Sequence, residues 1–152
     1  MSLDEEVRIL RNIPLFARIE PSKLKLLAFT SERIAFTAGE TLFRQGDPAD
    51  CAYILIEGEA EVLVDTPQGP LCVAVIGHND IVGEIAILID VPRTATVRAR
   101  TGLVTLRIAK DLFFRLVTEF PQIAVEIMRE LAHRLEQTTG RLSELMSRAG
   151  QA

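Results

Sequence analysis

Aromatic residues are scarce: the 152-residue chain has no tryptophan, one tyrosine and seven phenylalanines, so its core must be largely aliphatic. Cysteine is scarce too. Cys51 and Cys72 lie far apart in alternating apolar runs, without metal-ligand or redox spacing, and read as buried free thiols in a reducing cytosol. The two histidines, His78 in a turn-like segment and His133 in a helical one, are not spaced as a pair. The clustered His and carboxylate ligands of a metal-dependent enzyme on a cupin-type roll are therefore missing. No run approaches the ~20 apolar residues of a membrane span, and no basic start is followed by a long apolar run. A cytoplasmic chain without membrane contact is the expectation. Positive charge is also in deficit. The 17 Lys and Arg against 21 Asp and Glu, net charge −4, argue against a nucleic-acid surface as the dominant property.

What is present suffices for one globular domain over 1–152, since 48% of the residues are hydrophobic. Met1-Ser2-Leu3 reads as a cloning remnant. The periodicity predicts N-terminal helices within 1–30: Asp4 to Asn12, acidic at its start, and a second opening at Glu20-Pro21-Ser22. From Arg33 the period drops to two. Short strands are expected around Ile34–Phe36, Leu42–Phe43, Cys51–Ile56, Ala60–Val64, Leu71–Ile76, Ala95–Ala99 and Leu103–Ile108, punctuated by Gly, Pro and Asn. Strands at such spacing over 31–109 indicate an antiparallel sandwich or jelly roll. Helices return over 110–149, first from Lys110-Asp111 to Phe120, then from Pro121, a favoured first-turn residue. In the last helix Ala124, Met128, Leu131, Leu135, Thr138, Leu142 and Leu145 form a heptad seam with one polar member, which predicts a homodimer through this helix.

The stretch from 82 to 97, VGEIAILIDVPRTATV, carries the chemistry. Gly83 lets backbone approach without a Cβ. Ile85 to Leu88 are enough for about one helical turn, whose first N–H groups are free for an anion. Arg93 adds a planar cationic fork suited to phosphate oxygens. Glu84 would repel a bare phosphate, and makes sense if the ligand also offers a hydroxyl, as a ribose does. An ordinary Glu84–Arg93 ion pair across the turn is the other reading of these two residues.

Gly83-Glu84-Ile85-Ala86 followed, after the intervening segment, by Pro92-Arg93-Thr94-Ala95-Thr96-Val97 resembles the phosphate-binding cassette of the cyclic nucleotide-binding domain family. Gly46-Asp47, the Tyr53-x-Ile-x-x-Gly58 run and the Ile13-Pro14-Leu15-Phe16 lead-in extend the resemblance over nearly the whole chain. Val82 stands where the family often has Phe, and Asn79 where Gly is common; Asn tolerates the left-handed conformation, so that turn should survive. The resemblance implies a mainly β fold: an antiparallel double-stranded β-helix (jelly roll) with N-terminal helices and a long C-terminal dimerisation helix. It implies that Arg93, Thr94 and the N–H groups of Ile85 and Ala86 hold a cyclic phosphate, and that Glu84 and Gly83 serve the ribose. Val82 and Val97, with Ile76 and Ile81, would line the base.

The terminal helix resembles that of the catabolite activator protein type, which places Thr138 and Thr139 at the adenine, one of them reaching across the dimer. Thr94 resembles instead the residue of cyclic-GMP-preferring members. Cyclic AMP is ranked first as ligand and cyclic GMP second. The resemblance implies a regulatory sensor that couples ligand to its C-terminal helix, with no cofactor, no enzyme activity and no direct nucleic-acid binding by this chain. A dimerisation module with a vestigial pocket is the remaining alternative. No recognition helix of a helix-turn-helix follows, so the chain is expected to be a stand-alone sensor or a piece of a longer regulator.

Overall fold

The structure, a computed structural model, describes residues 3–150; Met1 and Ser2 of the expected cloning remnant, and Gln151 and Ala152 at the other end, lie outside the described residues. Helix α1 (Leu3–Arg11) places Val7 and Leu10 on the core, as its 3–4 spacing requires. Pro14–Phe16 form a single 3-10 turn before α2 (Pro21–Thr30).

Eight strands follow: β1 (Glu32–Phe36), β2 (Thr41–Phe43), β3 (Cys51–Glu57), β4 (Ala60–Thr66), β5 (Gly69–Ile76), β6 (Ile81–Val82), β7 (Thr96–Ala99) and β8 (Leu103–Ala109). They form two four-stranded sheets of order β1-β8-β3-β6 and β2-β7-β4-β5, with every pairing antiparallel. This is the expected roll, with one strand more than the periodicity indicated. The two-residue β6, which pairs Val82 with Tyr53 and Ile81 with Ile54, is too short to show alternation.

Strand β3 explains how the core divides. It is buried along its whole length except Glu57, because both of its faces are covered. Leu55 points into the roll with Ala60, Ile76, Val97, Ala99 and Leu103. Ala52, Ile54 and Ile56 point outward onto a larger cluster with Leu10, Ile13, Phe16, Leu24, Leu27, Phe113, Ile123 and Ile127 from the helices. Each fully buried Leu, Ile or Phe among them contributes about 1.5–3 kcal/mol. The opposite case is β5, an edge strand whose Leu71, Val73 and Val75 remain exposed. Cys72 lies on this strand, so of the two thiols expected to be buried only Cys51 is. Alternation in sequence cannot distinguish an edge strand from a covered one.

Asn79 adopts φ 71, and its N–H donates to the Leu55 carbonyl at 2.8 Å, so the turn survives the loss of glycine. Helix α4 (Lys110–Glu119) leads into α5 (Pro121–Gly150), whose 30 residues extend about 45 Å. Only the start of α5 is seated on the core, through Ile123 and Ile127. Met128, Leu135, Leu142 and Leu145 of the heptad seam are exposed, while Ala124 and Leu131 are partly covered.

Candidate functional site

Helix α3 (Glu84–Leu88) is one short turn, opened by Gly83 at φ 89. A Cβ at Gly83 would lie 2.6 Å from Arg93 Nη1 and 3.3 Å from the Cys51 carbonyl oxygen. The glycine is thus required both by its left-handed backbone and by the closeness of the arginine. The chain leaves α3 through Asp90 at φ 54, and the Val91 N–H donates to the Ala86 carbonyl at 3.0 Å. The Gly46-Asp47 turn then clamps the next residues. Arg93 N–H donates to the Asp47 carbonyl at 2.8 Å and Gly46 N–H donates to the Arg93 carbonyl at 2.8 Å. This clamp is the structural reason for a Gly-Asp pair nearly fifty residues before the arginine.

Arg93 is 3% exposed. Its guanidinium lies over the Phe43 ring at 4.0 Å, and Phe43 in turn stacks on Tyr53. Nη1 donates to the Gly83 carbonyl at 2.9 Å, and Nη2 donates to the Cys51 carbonyl at 2.6 Å and lies 3.5 Å from Cys51 Sγ. Asp50 is a loose and largely exposed counter-ion at 3.8 Å. The arginine is therefore aimed by backbone carbonyls rather than by a partner acid. Its Nε is buried with no hydrogen-bond partner among the described residues. No Glu84–Arg93 ion pair is found among the described residues.

Glu84 is 2% exposed, and burial pushes its carboxyl up to about 7. Its own backbone N–H and the Arg134 and Arg93 charges pull the value down, while Glu130 adds to the rise. Arg134 Nη1 of α5 stands 4.0 Å from Glu84 Oε1, and Arg134 Nη2 is held by Glu130 at 2.8 Å. Burial also pushes the Cys51 thiol up and Tyr53 to about 12, so both stay neutral beside the arginine.

Glu84, Arg93, Glu130 and Arg134 line one cavity of about 1010 Å³ between the roll and α5. Of the expected site residues it brings together Val82, Gly83, Glu84, Ile85, Ala86, Arg93, Thr94, Val97 and Thr138, with Ile76. It does not include Thr139 of the same chain. Nor does it include Ile81, which is buried instead in the helical cluster, on the opposite face of β6 from Val82. Sequence reasoning missed Phe43, Arg134, Gln137 and Arg141, which also line the cavity. The α5 members recur at three and four residues, a polar period that a search for an apolar seam passes over. Phe43 carries no local signal. Among the described residues no group of His, Cys, Asp and Glu is placed to hold a metal, and no helix is long and apolar enough to cross a membrane.

The cyclic nucleotide-binding domain family model matches residues 33–120 of the chain. A CRP-like cAMP-activated global transcriptional regulator of Mycobacterium tuberculosis is 29% identical over 139 residues, covering 91% of this chain and 62% of that protein. A cAMP-dependent protein kinase regulatory subunit of Emericella nidulans is 36% identical over 108 residues, 71% of this chain and 26% of that one. The chain therefore spans less than two thirds of the length of either relative. The sensor domain of the transcriptional regulator DNR from Pseudomonas aeruginosa is similar in structure at TM-score 0.77 and 25% identity, over 91% of this chain and 93% of that one.

Proposed function

The chain belongs to the cyclic nucleotide-binding domain family, and from that premise we propose that it is a sensor for 3′,5′-cyclic AMP, working as a homodimer that reports the ligand through α5. The supporting observation is that one cavity presents a buried guanidinium with an unpartnered Nε and a buried carboxylate. Two buried charges are costly in a fold unless a ligand or partner uses them. A cyclic phosphate supplies the acceptor that Nε lacks, with Thr94 and the N–H groups of Ile85 and Ala86 close by. The ribose 2′-hydroxyl donates to Glu84 beside Gly83, and Ile76, Val82 and Val97 are apolar walls for the base.

Thr138 favours adenine. Its hydroxyl donates to the Arg134 carbonyl at 2.9 Å, so its oxygen is left to accept. The adenine amino group can donate to that oxygen, whereas guanine presents an acceptor at the same place. Thr94 is the feature that favours cyclic GMP, the alternative ligand. Thr139 would serve the cavity of the second copy. The exposed Met128, Leu135, Leu142 and Leu145 support the dimer, because a long apolar stripe on a helix is stable when covered. The Arg134–Glu84 contact joins α5 to the ribose end of the cavity, so a ligand there biases how the helix seats. On this reading residues 1–152 form one sensing domain that catalyses no reaction and leaves nucleic-acid contact to other chain or other proteins.

Calorimetric titration of the purified chain tests the proposal. Cyclic AMP should bind more tightly than cyclic GMP, and Arg93→Ala should lose about 100-fold or more in affinity for both. A parent chain that binds neither nucleotide, or an Arg93→Ala variant with unchanged affinity, would sink it.

A further inference from the structure

We propose that Gln137, positioned by His133, reads the hydrogen-bonding edge of the base and selects adenine; the inference rests on the cyclic nucleotide reading of the cavity. Successive residues of an α-helix turn by about 100°, which sets the direction of each α5 side chain. Counted from Glu130, Gln137 and Arg141 fall within about 20° of the same direction, whereas Thr138 lies about 80° away and Thr139 about 180°. Gln137 thus faces the cavity squarely, and Thr138 lies on its border with the apolar seam.

The wall opposite α5 comes from the roll and is apolar beyond the arginine: Val62, Ile76, Val82 and Val97. Such a wall stacks a ring without distinguishing one purine from another. On α5, Arg134 is engaged with Glu130 and faces Glu84, so the side chains left to meet the base beside Thr138 are those further along the helix. Gln137 Nε2 lies 3.3 Å from His133 Nε2. When one amide hydrogen is given to the imidazole, the second N–H and Oε1 remain available side by side. A donor beside an acceptor matches the adenine N6/N7 edge. Guanine presents two acceptors there, and Oε1 would face one of them unpaired.

The test compares parent and Gln137→Met for cyclic AMP, cyclic GMP and purine riboside 3′,5′-cyclic monophosphate, which has no six-substituent. The variant should lose about 10-fold in cyclic AMP affinity, the worth of one paired edge, and clearly less for the purine riboside analogue, which keeps the N7 acceptor but has no amino group to give to Oε1. Its melting temperature should match the parent, because Gln137 is exposed. Unchanged cyclic AMP affinity in the variant, or equal losses for all three ligands, overturns the assignment while leaving the cyclic nucleotide reading in place. A parent that binds none of the three overturns both.

Discussion

On the proposed reading, the buried carboxyl of Glu84 should make stability and ligand binding respond to pH in opposite directions. Its value in the folded chain is raised to about 7 from an ordinary 4.5. The folded state therefore holds a proton that the unfolded state has released across that interval. At about 1.4 kcal/mol per tenfold difference in proton affinity, this corresponds to about 3 kcal/mol. The contribution is fully present below about pH 4.5, declines as pH rises, and is lost above about pH 7. Glu84→Gln removes the titration while keeping the side chain's size. Urea denaturation from pH 4.5 to 8.5 should show the parent falling by about 3 kcal/mol relative to the variant. All other carboxylates are common to both chains and cancel in the difference. Ligand binding should show the reverse trend, because a ribose hydroxyl donating to the carboxylate expels that proton. Cyclic AMP affinity should rise with pH and level off above about pH 7. Parallel stability profiles for parent and Glu84→Gln would refute the reasoning.

Gly83→Ala should lower stability by about 1–3 kcal/mol, since it strains a left-handed backbone and drives a methyl group against Arg93; chemical denaturation measures this, and an unchanged midpoint would count against the contact. Leu135→Asp with Leu142→Asp should shift sedimentation toward monomer while the far-ultraviolet dichroism stays helical, and a variant of unchanged mass would show that this stripe is not the dimer surface. Thr138→Ala should weaken cyclic AMP by about 1 kcal/mol and cyclic GMP less, as calorimetry would show; equal losses would remove Thr138 from the base.

Much of this was legible in one dimension because the relevant physics is local. Period-two alternation with turn residues marks strands wherever one face is covered, and seven of the eight were readable. The cassette was readable because a glycine in front of a helical turn, an acid beside it and an arginine nine residues later lie on one short loop. Failures came where burial depends on distant chain. Cys51 and Cys72 sit in similar runs, yet one lies on a central strand and the other on an edge. Ile81 and Val82 are neighbours that strand geometry sends to opposite faces, one into the helical cluster and one into the cavity. Thr138 and Thr139, one of them expected to reach across a dimer, are a separate case: only Thr138 borders the cavity of its own chain.

The sequence by itself determined the roll, the flanking helices and the chemistry of 82–97, since these follow from periodicity and from residues close enough in the chain to constrain one another. The tertiary structure alone decided how that chemistry is set. Arg93 is aimed by the carbonyls of Gly83 and Cys51 and by the ring of Phe43, and Glu84 is kept dry and faced by Arg134 of α5, fifty residues on. Proton affinity, charge orientation and the far wall of a cavity depend on what is near in space, and folding brings those groups together from distant parts of the chain.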